Sequence, residues 1–306
     1  MEKSGLGSLD HHELQRVALL YRQTAADLSA LRQDSSGGSY ARYLSELLSR
    51  AHNSIYGSTR SERSALPRFF LSTFPIVFRR NLNFTVAALA LFLLAAVVGV
   101  ALTLYDPDFS AEVLGPQMIR TIEHHEMWTH SVVAMAPVAS SSIMTNNIAV
   151  AIMMFSSGIL AGTGTIVLTL FNGLLIGVVG TACWNNDMSL QLWSFVAPHG
   201  VLELPAIFIA AGAGLRLGYG LLFPGYLPRR QSIVKAGKEA VQLLLGVVPI
   251  LVIAGVIEGF VSPSNLPITL KFGFAAAIAT LFVMYLFVPI QGEKKAQPEV
   301  AVSAAI

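Results

Sequence analysis

Six apolar stretches dominate this chain, at roughly 82–105, 143–163, 165–184, 193–218, 240–261 and 267–289. Each is close to the ~20 residues a helix needs to cross the hydrocarbon core of a bilayer. The second and third are joined only by "GTGT" (162–165). Read together they would make about 40 residues, too long for one span, so a sharp re-entry is expected at the glycines. The expected fold is all-α: a polytopic transmembrane helical bundle of about six spans.

Composition agrees. The chain of 306 residues is 54% hydrophobic and 12% charged, against about 25% charged residues in soluble domains. A net charge of +2 gives no support for a nucleic-acid partner. The single cysteine, Cys183, excludes an intrachain disulfide and reads as a small apolar residue in a helix. The opening "MEKSGLGSLDHHELQRVALL" lacks the uninterrupted apolar core of a secretory signal.

Residues 1–80 have a different character. Leu14, Val17, Tyr21, Ala25, Leu28 and Leu31 recur at helical spacing, "SSGG" (35–38) interrupts, and Tyr40, Tyr43, Leu44, Leu47, Leu48 and Ala51 resume the pattern. This predicts a cytoplasmic helical hairpin. "LPRFFLSTFPIVFRRN" (66–81) mixes phenylalanines with Arg68, Arg79 and Arg80 and predicts an interfacial helix. The division is then hairpin plus interfacial helix at 1–80, bundle at 81–290, and a disordered tail at 291–306.

Basic residues set orientation. Arg79 and Arg80 precede the first span, Arg229, Arg230, Lys235 and Lys238 lie between the fourth and fifth, and Lys294 and Lys295 follow the sixth. Six spans put all three clusters on one side, the cytoplasm, with both termini there. The alternate loops hold only Arg120. Arg216, at the inner end of the fourth span, is expected to snorkel to headgroups.

Polar residues inside the spans are the candidate functional groups. His199 and Glu203 are four apart and share a helix face. Pro198 suits the first turn of that helix, and Pro205 removes an amide and frees the carbonyl near Val201, which predicts a kinked, partly opened helix. Depth counting brings Asn146, Asn147 and Glu258 to a similar level, with Asn172 deeper. An ionisable group at mid-membrane costs about 2.5–3.5 kcal/mol on insertion scales unless it pairs or reaches water. His199, Glu203 and Glu258 are therefore expected to face a common interior.

"TIEHHEMWTHSVV" (121–133) offers further metal-ligand candidates: His124, His125, Glu126 and His130. His125 and His130 are five apart, where H-E-x-x-H needs four, so the zincin match is poor. Gly158, Gly162, Gly173, Gly177, Gly180, Gly212, Gly214 and Gly218 are spaced for close helix packing, and such faces also suit a homo-oligomer. No G-x-x-x-x-G-K or G-x-S-x-G motif occurs.

"PHGVLELPA" (198–206), "NNIAVAIMMFSSGILAGTGTIVLTLFNGLLIG" (146–177) and "VIEGFVSP" (256–263), with "YLSELLSRAHNSIYG" and "FPIVFRR" upstream, resemble the stage II sporulation protein M family of bacterial membrane proteins. The similarity runs over about residues 10–290. It implies a multi-pass inner-membrane protein. In spore formers such proteins help assemble peptidoglycan-degrading enzymes during engulfment, and relatives elsewhere often accompany a MoxR-type ATPase and von Willebrand-type proteins. The family pattern maps onto Asn147, Asn172, His199, Glu203 and Glu258. The leading expectation is a non-enzymatic scaffold for envelope or peptidoglycan-remodelling partners, in contact with membrane lipid. Two alternatives stay open. One is a proton- or cation-linked transporter or channel using His199, Glu203 and Glu258. The other is an intramembrane zinc-dependent hydrolase, with zinc held by His199, Glu203 and residues such as His124, His125, Glu126 or His130, and Glu203 or Glu258 as the catalytic carboxylate.

Overall fold

The computed structural model describes residues 10–31, 38–56, 65–126 and 136–288. Among them every regular element is helical. The expected tail and His130 lie outside the described residues.

The chain divides into two compact units, Met1–Leu66 and Pro67–Ile306. The first is a pair of helices, α1 (His11–Leu31) and α2 (Gly38–Tyr56). Asp10 Oδ1 accepts from the Glu13 amide at 2.7 Å, and Glu13 Oε2 accepts from the Asp10 amide at 3.0 Å. This reciprocal box satisfies two amides that the first turn would otherwise orphan. Leu28 is buried, and Val17, Tyr21, Leu31, Leu44, Leu48 and Ala51 are half-buried. Tyr40, Tyr43 and Leu47, on the other flank of α2, stay exposed.

The second unit begins at Pro67, inside α3 (Ala65–Arg68), and continues through a π-helical turn (Phe69–Thr73) and α4 (Phe74–Arg80). Side chains expected at the membrane interface pack into the protein here. Phe74 and Phe78 are buried in the main core with Leu243, Val247 and Leu286. Two long-range bonds secure the segment. Arg79 Nη1 donates to the Leu286 carbonyl and Tyr285 Oη to the Phe70 carbonyl, each at 2.7 Å.

There follow α5 (Leu82–Tyr105), short helices α6 (Pro107–Leu114) and α7 (Pro116–Glu123), then α8 (Ala136–Ser156), α9 (Thr163–Asn185), α10 (Ser189–Leu222), α11 (Arg229–Phe260) and α12 (Ile268–Phe287). Among the described residues five helices, α5 and α9–α12, are long and apolar enough to cross a membrane. The second expected span corresponds to α8, whose apolar stretch with the turn after it, Met144–Ile159, is shorter. The expected re-entry is a turn in which Ala161 and Gly162 have φ of 55° and 82°. Glycine reaches that left-handed region without strain.

Helix α10 is central, packing on α5, α8, α9, α11 and α12. Its run from Ala206 to Gly214 is buried throughout, because small side chains let neighbouring backbones come close. Gly214 faces the Met154 carbonyl of α8 across such a contact. α5 and α9 pair in the same way, with Gly173 and Gly177 against the backbone at Phe92 and Ala96.

Two expectations need correction. α10 runs unbroken over 34 residues with Pro198 and Pro205 both in its interior, so Pro198 does not open it. Packing on several sides holds a helix together across a lost amide bond, as membrane bundles commonly do. Arg216 does not simply snorkel. Its Nε donates to Glu239 Oε2 on α11 at 2.8 Å, and the guanidinium lies 5.9 Å from the centre of the Phe84 ring.

A buried histidine and two carboxylates between α10 and α11

His199 and Glu203 occupy successive turns of α10, as their spacing requires. Glu258 is two residues before the end of α11. One ligand atom from each of the three lies within 4.8 Å of the others. His199 is 5% exposed and Glu258 8%; Glu203 is half-buried. Among the described residues these three form the candidate metal-ligating group.

The imidazole is held from behind. His199 Nδ1 is 2.8 Å from Ser262 Oγ, and the Phe195 ring, one turn earlier, meets it edge-on at 5.6 Å. With Nδ1–H donating to Ser262, Nε2 turns its lone pair toward the carboxylates. The Nε2 to Glu258 Oε1 distance is 3.9 Å. Among the described residues Glu203 Oε2 and Glu258 Oε2 are both buried without a hydrogen-bond partner. Ser262 lies in the turn after α11, its amide bonded to the Ile257 carbonyl at 3.0 Å. The Ser262 carbonyl in turn accepts from Lys271 Nζ of α12 at 2.6 Å. Three helices therefore converge on this end of the bundle.

The other candidates make contacts of their own. Asn146 is exposed and Asn147 half-buried, with Asn146 Nδ2 3.5 Å from Asn147 Oδ1. Asn172 Nδ2 donates to the Leu168 carbonyl of its own helix at 2.8 Å. His124, His125 and Glu126, at the end of α7, are exposed and do not join the buried group.

Sequence reasoning overlooked Ser262, Lys271 and Glu239. Lys271 carried a usable signal, as the one charge in the last apolar stretch. Ser262 sits four residues after Glu258, but a serine in "VSPSN" reads equally well as a turn residue.

A cavity of about 580 Å³ opens beside α10, lined by Gly200, Val201, Leu204, Pro205, Thr85 and Phe282 among others. At 100° per residue these α10 positions lie away from the His199 and Glu203 face. The cavity is almost wholly apolar and does not touch the buried triad.

The family model described as stage II sporulation protein M matches residues 88–263, a stretch that includes His199, Glu203, Glu258 and Ser262. A second, described as a domain of unknown function, matches residues 2–57, within the first compact unit. An uncharacterized protein of Methanocaldococcus jannaschii is 29% identical over 124 residues, 40% of this chain and 70% of the relative. No solved structure matches the chain.

Proposed function

We propose, from the premise that this chain belongs to the stage II sporulation protein M family, that it is a multi-pass scaffold of the cytoplasmic membrane. Both termini face the cytoplasm. The N-terminal hairpin recruits a cytoplasmic partner, and the bundle presents the opposite side to envelope or peptidoglycan-remodelling proteins. A MoxR-type ATPase system is the cytoplasmic partner that the family resemblance suggests. The basic clusters at Arg79/Arg80 and Arg229–Lys238 support the orientation.

One observation carries the recruiting role. The hairpin buries one edge of the apolar stripe of α2, and the other edge stays exposed. Tyr40 is 70% exposed and Tyr43 60%, with Leu47 beside them one turn on. Aromatic side chains grouped on one exposed helix face suit a protein contact.

The test uses the full chain in native-like membranes. Tyr40→Ser with Tyr43→Ser should abolish co-purification of the MoxR-type ATPase and leave membrane insertion intact. Undiminished capture by the double variant would overturn the recruiting role.

A further inference from the structure

We propose that His199, Glu203 and Glu258 bind one divalent transition-metal ion of the zinc class between α10 and α11. The inference stands independently of the scaffold reading, since a scaffold can hold a metal or lack one.

The geometry is that of ligands, more than of a hydrogen-bonded cluster. Three candidate donor atoms on two helices lie within 4.8 Å of one another. The 3.9 Å from His199 Nε2 to Glu258 Oε1 is too long for a hydrogen bond. It is close to the ~3.4 Å that separates two ligands of a tetrahedral ion at about 2.1 Å. Shortening the longest of these separations toward that value would set all three donors around one ion.

The polar accounting also lacks a partner. Among the described residues Glu203 Oε2 and Glu258 Oε2 have nothing to accept from, and Glu258 as a residue is 8% exposed. Buried carboxylate oxygens ordinarily have donors. A dication would satisfy both. Two carboxylates and one dication also sum to zero charge, with the imidazole neutral. That is the charge state best tolerated inside a membrane.

The donor set selects the metal class. Calcium and magnesium favour all-oxygen sites. One imidazole nitrogen with two carboxylates suits zinc and its first-row neighbours. Ser262 behind Nδ1 supplies the outer-shell contact that metal-bound histidines ordinarily have. Three protein ligands leave a fourth position open.

The experiment is metal analysis of the full-length protein, purified in detergent at neutral pH and dialysed against Zn²⁺ or Co²⁺. About one ion per chain is expected, with the strong visible absorption of four-coordinate cobalt in the Co²⁺ form. His199→Ala, Glu203→Gln and Glu258→Gln should each lose the ion, and His124→Ala with His125→Ala should keep it. A folded wild-type protein that takes up no ion would overturn the proposal whatever the variants do. So would folded triad variants that retain it. An empty wild type would leave two carboxylates sharing a proton as the account of the cluster.

Discussion

His199 Nδ1 and Ser262 Oγ lie 2.8 Å apart across 63 positions of sequence, and their bond ties the first third of α10 to the turn that follows α11. It leaves the imidazole one orientation, with Nε2 toward Glu258. Ser262→Ala removes the tie without touching a donor atom. If the serine orients the ring, zinc affinity should fall about 10–100-fold, read by competition with a chromophoric chelator. Ser262→Thr retains the hydroxyl and should recover most of the affinity. Equal affinity in the alanine variant and the wild type would remove Ser262 from the site.

The α5–α9 pair rests on backbone proximity, and this makes a prediction about size alone. A Cβ at Gly177 would collide with the backbone of Ala96, which cannot rotate away as a side chain could. Gly177→Val should lower stability by about 1–3 kcal/mol or more, the range for overpacking. Gly237, in α11, has nothing within 4 Å of an added Cβ among the described residues. There, Gly237→Ala should be neutral or stabilise by roughly 0.5–1 kcal/mol. Unfolding titrations in detergent separate the two. Both substitutions improve helix propensity, so an undiminished stability in Gly177→Val would mean that the close approach to Ala96 does not set the effect.

These features differ in how far the sequence announces them. The spans are legible because apolar runs of bilayer length have few other uses, and the turn at Gly162 is legible because only a left-handed residue reverses a chain in so few positions. Depth counting places His199, Glu203 and Glu258 at one level, and the spacing of the first two settles their shared face. The ties between elements are not legible. Ser262 to His199, Lys271 to the Ser262 carbonyl and Arg216 to Glu239 join residues on different elements, and no periodicity encodes such pairings. Pro198 misleads for a related reason. Local chemistry suits it to the first turn of a helix, while α10 begins nine residues earlier, at Ser189, and runs on through both prolines.

The Arg216–Glu239 pair makes a separable prediction. Its side chains are 14% and 23% exposed, between the surface regime, where ion pairs contribute little, and the buried one. A double-mutant cycle with Arg216→Met and Glu239→Gln should give a coupling on the order of 1 kcal/mol. Glu239→Gln alone should be milder than Arg216→Met, because the guanidinium keeps its contact with Phe84. A coupling near zero would return Arg216 to the snorkelling role its position first suggested.

Membrane orientation is testable without any partner. Cys183 is buried in α9, so Cys183→Ser supplies a background for single reporter cysteines. Lys238→Cys lies in the basic stretch assigned to the cytoplasm, and Glu112→Cys in α6 lies on the assigned outer side. The argument rests on counting: the basic clusters share one face only if an even number of spans separates Arg80 from Arg229. Four apolar helical stretches lie between them: α5, the Met144–Ile159 stretch, α9 and α10. A membrane-impermeant maleimide added to intact cells should label position 112 and spare 238 until the cells are opened. If the Met144–Ile159 stretch does not cross, the count between the clusters becomes three. Positions 112 and 238 would then lie on the same side and label alike, and the assignment of both termini to the cytoplasm would fall with it.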